Sequence, residues 1–344
     1  MSGAAPGLTP RRLGLAIGAA LAGLAAAFVV ALASGPSGLG ISDTVAALGG
    51  RARDAATADI VLRVRLPRVA LAGIVGAALA TSGALFQALL RNPLADPFVL
   101  GVSGGAALGG IIVLGLGAAA SLAQGAVPAA SFAGALAALL LLFALAGARG
   151  RLSSTSLLLT GVVFNAFASA AIVFIASVAG LAEGTSIFLW LIGSLSSAPG
   201  GLVGLVGSLV GLAIVFTLPL ARQLDLLALG EEPAAQLGVE VERVRRWLLV
   251  ASSLMVGAAV AVSGLIGFVG LIIPHALRLA IGPDHRILLP TSALGGAAFL
   301  ILCDTAARTV LPGRELPVGA VTALAGGPLF LVLLRRQQGR PLLP

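Results

Sequence analysis

The most informative part of the chain is residues 65–105, which read RLPRVALAGIVGAALATSGALFQALLRNPLADPFVLGVSGG. It joins one apolar, Gly/Ala-rich segment to another through the polar turn RNPLADP. Asn92-Pro93 and Asp96-Pro97 prevent one continuous helix, because proline lacks an N–H group and disfavours the α conformation of the preceding residue. The stretch therefore predicts two apolar helices with a turn between them.

The composition places the rest of the chain in a membrane as well. Of 344 residues, 58% are apolar and 10% are charged, and the mean hydropathy is +1.09. A soluble domain carries about 25% charged residues. The apolar runs are long and unbroken, unlike the alternating segments of about ten residues in a β-barrel. We predict an all-α polytopic membrane protein, with residues 1–344 forming a single transmembrane domain.

The apolar runs predict about ten spans, the first an uncleaved helix rather than a signal peptide. A shorter apolar segment, 187–197, predicts a partial helix near the outer face. Arginines at alternate ends of the spans, among them Arg149, Arg151 and Arg340, predict that both termini are cytoplasmic. The spans are expected near residues 13–33, 68–90, 98–117, 127–147, 157–179, 202–220, 247–264, 266–281, 288–307 and 317–334.

The first outer segment, about residues 34–65, breaks the charge rule. It carries basic residues on the face where they are normally scarce. One interpretation is a solvated loop of mixed charge, and the other is a docking surface for an acidic partner. The charged residues concerned are Arg51, Arg53, Arg63 and Arg65, with Asp43, Asp54 and Asp59 among them.

All 21 basic residues are arginine. A Walker A loop needs a lysine to reach the nucleotide phosphates, so this chain has no standard ATP-binding loop. The net charge of +8 lies mainly at the ends of apolar runs, which indicates membrane topology and lipid headgroups rather than nucleic acid. We predict a chain that is not itself an enzyme and holds no cofactor or metal.

An internal repeat is visible in two octamers. Residues 76–83 read GAALATSG and residues 257–264 read GAAVAVSG. The first lies in a span that descends to the cytoplasm and the second in a span that rises from it. Inverted repeats of this kind are common in transporters, whose pathway lies at the repeat interface.

The longest polar stretch within the chain, about residues 222–246, is predicted to be cytoplasmic. Gly230 and Gly238 divide it into short helices. Its polar face is acidic, which anionic lipid would repel, so we favour protein docking over an interfacial membrane helix. The apolar side holds Leu226, Leu227, Leu229, Ala234, Ala235, Leu237 and Val239, and the polar side holds Glu231, Glu232, Gln236, Glu240, Glu242 and Arg243.

The spans lack the ionisable groups that an ion-coupled transporter needs at mid-membrane. Glu183, Asp304 and Glu315 are placed near outer ends, whereas His275 and His285 lie near inner turns and are expected to be structural. Asn165 and Ser169 form interhelical hydrogen bonds or line a pore. Two alternatives stay open: an ion-coupled secondary transporter and a membrane-embedded enzyme, the latter without an apparent nucleophile–base pair or metal cluster.

Several blocks in order give the chain its resemblance to the FecCD-type permeases, the membrane subunits of ABC importers for iron chelates, haem and cobalamin. The blocks are residues 65–68 (RLPR), 82–83 (SG), Gln87, 92–97 (NPLADP), 100–106 (LGVSGGA), Trp190 with 193–195 (GSL), the polar stretch 222–246, 267–275 (GFVGLIIPH), 284–286 (DHR) and 315–319 (ELPVG).

The resemblance implies a type II ABC importer permease fold and alternating access along a two-fold axis. It implies a homodimer, two ATP-binding cassette subunits that hold ATP and Mg²⁺, and a periplasmic or lipoprotein substrate-binding protein, in a bacterial inner membrane. The substrate stays open among ferric siderophore, ranked first by family size, haem and cobalamin. The coupling loop to the ATPase would comprise Leu229, Gly230, Glu231, Glu232, Ala234, Ala235, Gln236, Leu237 and Gly238.

The resemblance also assigns the two other predicted sites. The arginines expected to dock the binding protein are Arg65, Arg68 and Arg308, with Arg314 near the same face. The residues expected to line or gate the translocation path are Gln87, Asn92, Pro93, Ser103, Gly104, Asn165 and Ser169.

Overall fold

The computed structural model describes residues 9–35, 37–98, 100–116, 125–146, 154–180, 191–195, 200–311 and 313–338. Glu183, Trp190, Arg149, Arg151 and Arg340 lie outside these ranges. The predicted partial helix at 187–197 is described only over residues 191–195, where the Ser194 N–H donates to the Ser263 carbonyl at 2.9 Å.

Every predicted span coincides with a helix. In the described ranges, seven helices are long and apolar enough to cross a membrane, and three further apolar helices are shorter. The helices are α1 (Pro10–Ala33), α2 (Ile41–Leu48), α3 (Ala55–Asp59), α4 (Leu66–Leu89), α5 (Val102–Gly115), α6 (Ala126–Ala146), α7 (Ser154–Val178), α8 (Gly200–Thr217), α9 (Ala221–Ala228), α10 (Glu231–Gln236), α11 (Val241–Ser263), α12 (Val269–Ile281), α13 (His285–Thr309) and α14 (Val318–Gln338).

The predicted turn after α4 has a well-defined backbone geometry. Arg91 is left-handed, with φ of 48°. Its N–H donates to the Ala88 carbonyl at 3.2 Å, and the Asn92 N–H donates to the Gln87 carbonyl at 3.1 Å. This pair of bonds is a Schellman motif, which satisfies the last carbonyls of a helix. The sequence prediction that the chain turns here is confirmed.

The outer segment is more ordered than a loop. Residues 41–48 and 55–59 are the helices α2 and α3, and a π-helical segment, Ile60–Arg65, runs directly into α4. Arg63 pairs with Asp59 at 3.0 Å, and both side chains are exposed. That pair fits the mixed-charge interpretation, whereas Arg65 at the end of the segment is buried.

The bundle has two ends. We call them the α10 end and the Arg68 end, after a helix and a residue that lie there. At the α10 end, Arg12 donates to the Ile281 carbonyl at 2.6 Å, so α1 and α13 begin where α12 ends. At the Arg68 end, the Arg65 guanidinium donates to the Leu32 carbonyl at 2.5 Å, so α1 ends where α4 begins. Each end therefore collects the polar segments that alternate along the sequence.

The most buried spans, α4, α11 and α13, form the centre of the fold. Helices α4 and α11 pack against each other, and in addition α4 packs against α12 and α13 while α11 packs against α5 and α6. The octamers occupy matching places, since Gly76 meets Gly296 of α13 and Gly257 meets Ala135 of α6. Because α4 starts at the Arg68 end and α11 at the α10 end, this reciprocal packing supports the predicted inverted repeat.

Candidate functional site

The first candidate site is the polar element between α8 and α11. Two short helices, α9 and α10, are separated by Gly230, which has φ of 124°, and α10 is followed by Gly238, which has φ of 86°. These positive φ values explain both glycines, because other residues adopt them only with strain. The Arg91 guanidinium lies beside Gly230, since a Cβ there would stand 3.7 Å from Nη1.

A buried arginine ties α10 to the bundle. Arg245 on α11, whose side chain is 3% exposed, pairs with Glu231 at 2.5 Å and with Glu242 at 3.1 Å. Arginine presents several N–H donors in a planar fork, so it can hold two carboxylates at once. The ion pairs position α10 against the first turn of the long helix α11.

The structure corrects the division of this element into one apolar and one polar side. Leu227, Ala234 and Val239 are buried, as an inward-facing apolar side requires. Leu229 and Leu237 instead point outward, with 66% and 61% of their surface exposed. The sequence pattern could not separate the two groups, because short helices and left-handed glycines break the helical period. Other outward residues around α10 include Glu232, Pro233, Ala235, Gln236 and Gly238.

The second candidate site is an ion network at the Arg68 end. Arg68 donates to Asp304 from Nε and Nη2, both at 3.1 Å, and to Glu315 from Nη1 at 3.0 Å. Arg308 donates from Nε to the other oxygen of Asp304 at 3.0 Å. Asp304 is 1% exposed, so one buried carboxylate holds two guanidinium groups. The network joins the start of α4 to the end of α13.

The three predicted docking arginines therefore lie at one end but within the fold. Arg65, Arg68 and Arg308 are largely buried, and Arg65 also donates to the Ser37 hydroxyl at 2.5 Å. Arg314, which follows Arg308 closely in the chain, is exposed. The burial of the other three could not be predicted, because hydropathy places an arginine at a helix end but does not show which way its side chain points. Their docking role stays a prediction.

The predicted path residues are mostly engaged between helices. Gln87 is buried, donates to the Leu271 carbonyl at 3.1 Å and accepts from Arg278 at 3.0 Å, so it links α4 to α12. Ser103 is fully buried, whereas Ser169 is exposed on α7. A path-lining role stays a prediction for all of them.

Asn92 and Asp96 have the same structural task in the turn. The Asn92 side-chain oxygen accepts the Leu94 N–H at 2.9 Å, and that of Asp96 accepts the Phe98 N–H at 2.8 Å. Each is an Asx turn across a proline, which satisfies the N–H two residues on. Asn165 of α7 donates to the Phe98 carbonyl and packs against Gly104, so it fastens the turn to α7.

Asp96 makes the stability of this turn depend on pH. Burial raises the pKa of its carboxyl from 3.8 to about 6, although the Phe98 N–H opposes the shift. An acid with a raised folded-state pKa stabilises the fold below its unfolded pKa, and that contribution is lost as pH rises through 6. We expect Asp96→Asn, which keeps the acceptor oxygen, to be more stable than wild type by about 1–3 kcal/mol at pH 8 and equal to it at pH 4.

Thermal unfolding of the detergent-solubilised protein at pH 4, 6 and 8 measures this difference. Asn92→Asp is the matched control, because it places a carboxyl at the equivalent position of the other Asx turn. A stability difference between wild type and Asp96→Asn that is the same at all three pH values would contradict the assignment.

Several residues that organise both sites were not predicted from the sequence. Neither Arg245 nor Asp225 was singled out as a site residue. Asp304 was placed near an outer end, without its burial or its two partners. The spacing of Asp304 and Arg308, four residues apart on one helix, was the available indication of an ion pair.

Known proteins resemble this chain over most of its length. The hemin transport system permease protein HmuU of Yersinia pestis is 44% identical over 313 residues, covering 90% of this chain and 93% of that protein. The cobalamin import system permease protein BtuC of Halobacterium salinarum is 44% identical over 287 residues, covering 83% of this chain and 76% of that protein.

A solved structure agrees with the fold. It is described as an inward-facing conformation of a metal-chelate type ABC transporter, is 31% identical, and superposes with a TM-score of 0.83 over 93% of this chain and 98% of its own. The model of the FecCD transport family matches residues 23–336. With the family's sequence pattern and its helix arrangement both present over nearly the whole chain, this protein belongs to the FecCD transport family.

Proposed function

We propose that this chain is the membrane-spanning subunit of an ABC importer that moves a metal chelate of the haem, cobalamin or siderophore class into the cytoplasm. Relatives named for hemin and cobalamin support the substrate class. A separate ATPase supplies the energy and holds ATP and Mg²⁺, since this chain contains no lysine for a Walker A loop.

The observation that carries this proposal is the exposed surface of α9 and α10. Leu229 and Leu237 are solvent-exposed apolar side chains beside the exposed Glu232, on an element held rigidly by Arg245. Exposed apolar groups rimmed by charge mark protein–protein contacts. An acidic rim disfavours anionic lipid as the partner. In the proposed complex the ATPase subunit covers this surface.

We infer the orientation from this assignment. In the proposed complex the α10 end, where α1 begins, faces the cytoplasm, and both termini are proposed to be cytoplasmic. The Arg68 end then faces the periplasm or cell exterior, where the substrate-binding protein docks. Two copies of the chain form the proposed homodimer, and the substrate passes between them by alternating access.

The arginine network at the Arg68 end fits a docking role. Because its arginines are largely buried, a partner would have to compete for them rather than bind freely exposed charges. Glu315 is 59% exposed while its partner Arg68 is 11% exposed, so an approaching carboxylate can compete with Glu315 for the guanidinium. A charge pair at such a rim mainly affects the association rate, and it weakens with salt. Asp304 keeps Arg68 and Arg308 in place while the incoming carboxylate replaces Glu315.

Ion-coupled secondary transport is the alternative function. It needs an ionisable group whose proton or ion exchanges during transport. The buried carboxylate that the described residues offer near the outer end, Asp304, is bound by two guanidinium groups. Both oxygens of this carboxylate are already engaged by arginines, so it is not free to exchange an ion during transport.

Uptake into proteoliposomes tests the proposal. The chain is reconstituted with its co-encoded ATPase and binding protein, and labelled haem, cobalamin and a ferric siderophore are compared with and without ATP. ATP-dependent uptake of one of them is the expected result and identifies the substrate. Uptake that ignores ATP and follows a proton gradient would instead establish the secondary transporter.

The exposed leucines provide a direct test of ATPase docking. We expect Leu237→Asp to weaken ATPase binding at least tenfold, about 1.4 kcal/mol, because it removes apolar contact and adds negative charge. Its thermal stability should stay close to wild type, since Leu237 is exposed in the isolated chain. Surface binding measurements with the purified ATPase give the affinity.

Arg222→Ala, at another exposed position of the same element, is the control and should bind the ATPase with nearly unchanged affinity. If Leu237→Asp binds as tightly as this control does, the surface is not the ATPase site.

A further inference from the structure

Helix α13 connects the two candidate sites. It begins at His285 at the α10 end and ends at Thr309 at the Arg68 end. At about 1.5 Å per residue, its 25 residues span about 37 Å, which exceeds the thickness of the hydrocarbon core. One continuous helix therefore reaches from the element proposed to bind the ATPase to the arginines proposed to meet the binding protein.

The α10 end of α13 is bound by a residue from another helix. Asp225 lies on α9, and its Oδ1 accepts both the backbone N–H of His285 at 3.0 Å and the ring Nδ1–H of the same residue at 2.6 Å. The His285 side chain is 5% exposed and Asp225 is 30% exposed. We call this contact the Asp225–His285 clasp.

The clasp is well placed to hold a helix end. The first N–H groups of a helix have no partner within the helix, and the positive end of the helix dipole favours a carboxylate there. The capping residue of α13 itself, Asp284, accepts the Arg286 N–H at 2.9 Å. Asp225 supplies a second carboxylate. The free N–H groups at the start of α13 are therefore satisfied partly by α9 and not only by the capping residue of α13 itself.

The body of α13 is packed too closely to absorb a displacement locally. Gly296 of α13 meets Gly76 of α4 backbone to backbone, and Ala80 fills the adjacent space. At the far end, Asp304 pairs with Arg68 of α4. Close-packed interiors transmit strain rather than dissipate it. A shift of α9 would therefore move α13 and α4 together.

We propose that the Asp225–His285 clasp is the joint through which movement of the coupling element reaches α13, and through α13 the arginine network at the opposite end. The inference rests on the proposed function and adds positioning residues to it. Neither Asp225 nor His285 needs to touch the ATPase or the substrate. Their task is to make α9 and α13 move as one body.

The experiment uses the full complex of this chain with its ATPase and binding protein in proteoliposomes. Three quantities are measured: co-purification of the ATPase, stimulation of ATP hydrolysis by the binding protein, and ATP-dependent uptake. We expect Asp225→Ala and His285→Ala to keep the ATPase bound, lose the stimulation and reduce uptake at least tenfold. Because both remove the same contact, the double variant should be no worse than either single variant.

Conservative variants separate a joint from a merely structural residue. Asn can present an N–H donor near the position of the histidine Nδ1, whereas Gln presents one farther out. We expect His285→Asn to keep at least half of the uptake and His285→Gln to lose it. Asp284→Asn is the matched control at the same helix end, since it retains a good N-cap and the side-chain hydrogen bonds described for Asp284 go to Arg286 rather than to α9. Its uptake should remain within twofold of wild type.

The outcomes distinguish this inference from the proposed function. If wild type takes up substrate with ATP while Asp225→Ala and His285→Ala behave as Asp284→Asn does, the clasp is not the joint and the importer assignment stands. Loss of ATPase co-purification in the clasp variants would also overturn the inference, because the pair would then shape the docking surface itself. If wild type shows no ATP-dependent uptake, both proposals fail together.

Discussion

Replacing Gly83 with alanine is expected to destabilise the protein by about 3 kcal/mol or more. Gly83 lies in the interior of α4, and a Cβ at this position would overlap the carbonyl of Gly270 on α12. A flexible side chain could give way, but a backbone carbonyl cannot move without displacing α12. The gain in helix propensity from glycine to alanine, about 1 kcal/mol, is too small to offset the overlap.

Thermal unfolding in detergent, together with the yield of monodisperse protein, measures this effect. Gly204→Ala on α8 is the matched control, because among the described residues no atom beyond its own stretch of helix lies within 4 Å of the new Cβ. The control should be as stable as wild type or slightly more stable. Equal melting temperatures for Gly83→Ala and Gly204→Ala would show that α4 and α12 are not in contact as described.

Removing the carboxylate of Asp304 should have an effect of similar size. Asp304→Ala leaves Arg68 and Arg308 buried without the charge that compensates both. Breaking a buried ion pair in this way typically costs about 3–5 kcal/mol. Asp304→Asn retains a hydrogen-bond acceptor, so it should fall between alanine and wild type.

Glu315→Gln is the control for Asp304, since it alters the exposed member of the same network. Glu315 is 59% exposed, and exposed pairs contribute about 0–1 kcal/mol. Unfolding by heat in detergent ranks the variants. A ranking in which Glu315→Gln is as harmful as Asp304→Ala would contradict the assignment of Asp304 as the centre of the network.

The sequence predicted the elements of the fold well because their causes are local. Apolar length sets the spans, and the prolines after Asn92 and Asp96 set the turn between α4 and α5. The span predicted near 266–281 is the short helix α12, which contains Pro274. Gly230 and Gly238 correctly divided the polar element into α9 and α10.

The candidate sites were predicted less completely, because they depend on contacts between distant residues. Arg68 and Asp304 are separated by 236 positions, and Asp225 and His285 by 60. Nothing in the local pattern around Asp225 indicates a partner on α13. Likewise, the period of a short helix did not reveal that Leu227 faces inward while Leu229 faces outward.

Sequence alone establishes that this chain is a helical membrane protein, where its spans and turns lie, and to which family it belongs. The spans and turns follow from hydropathy, proline and glycine, whose effects reach only a few residues along the chain, whereas the family follows from sequence blocks that occur in a fixed order. The burial of Arg68 and Arg308 around Asp304, and the contact by which α9 holds the start of α13, are known only from the tertiary structure. Those contacts depend on how helices are rotated and packed against one another, and that rotation is settled by close fits such as Gly76 against Gly296.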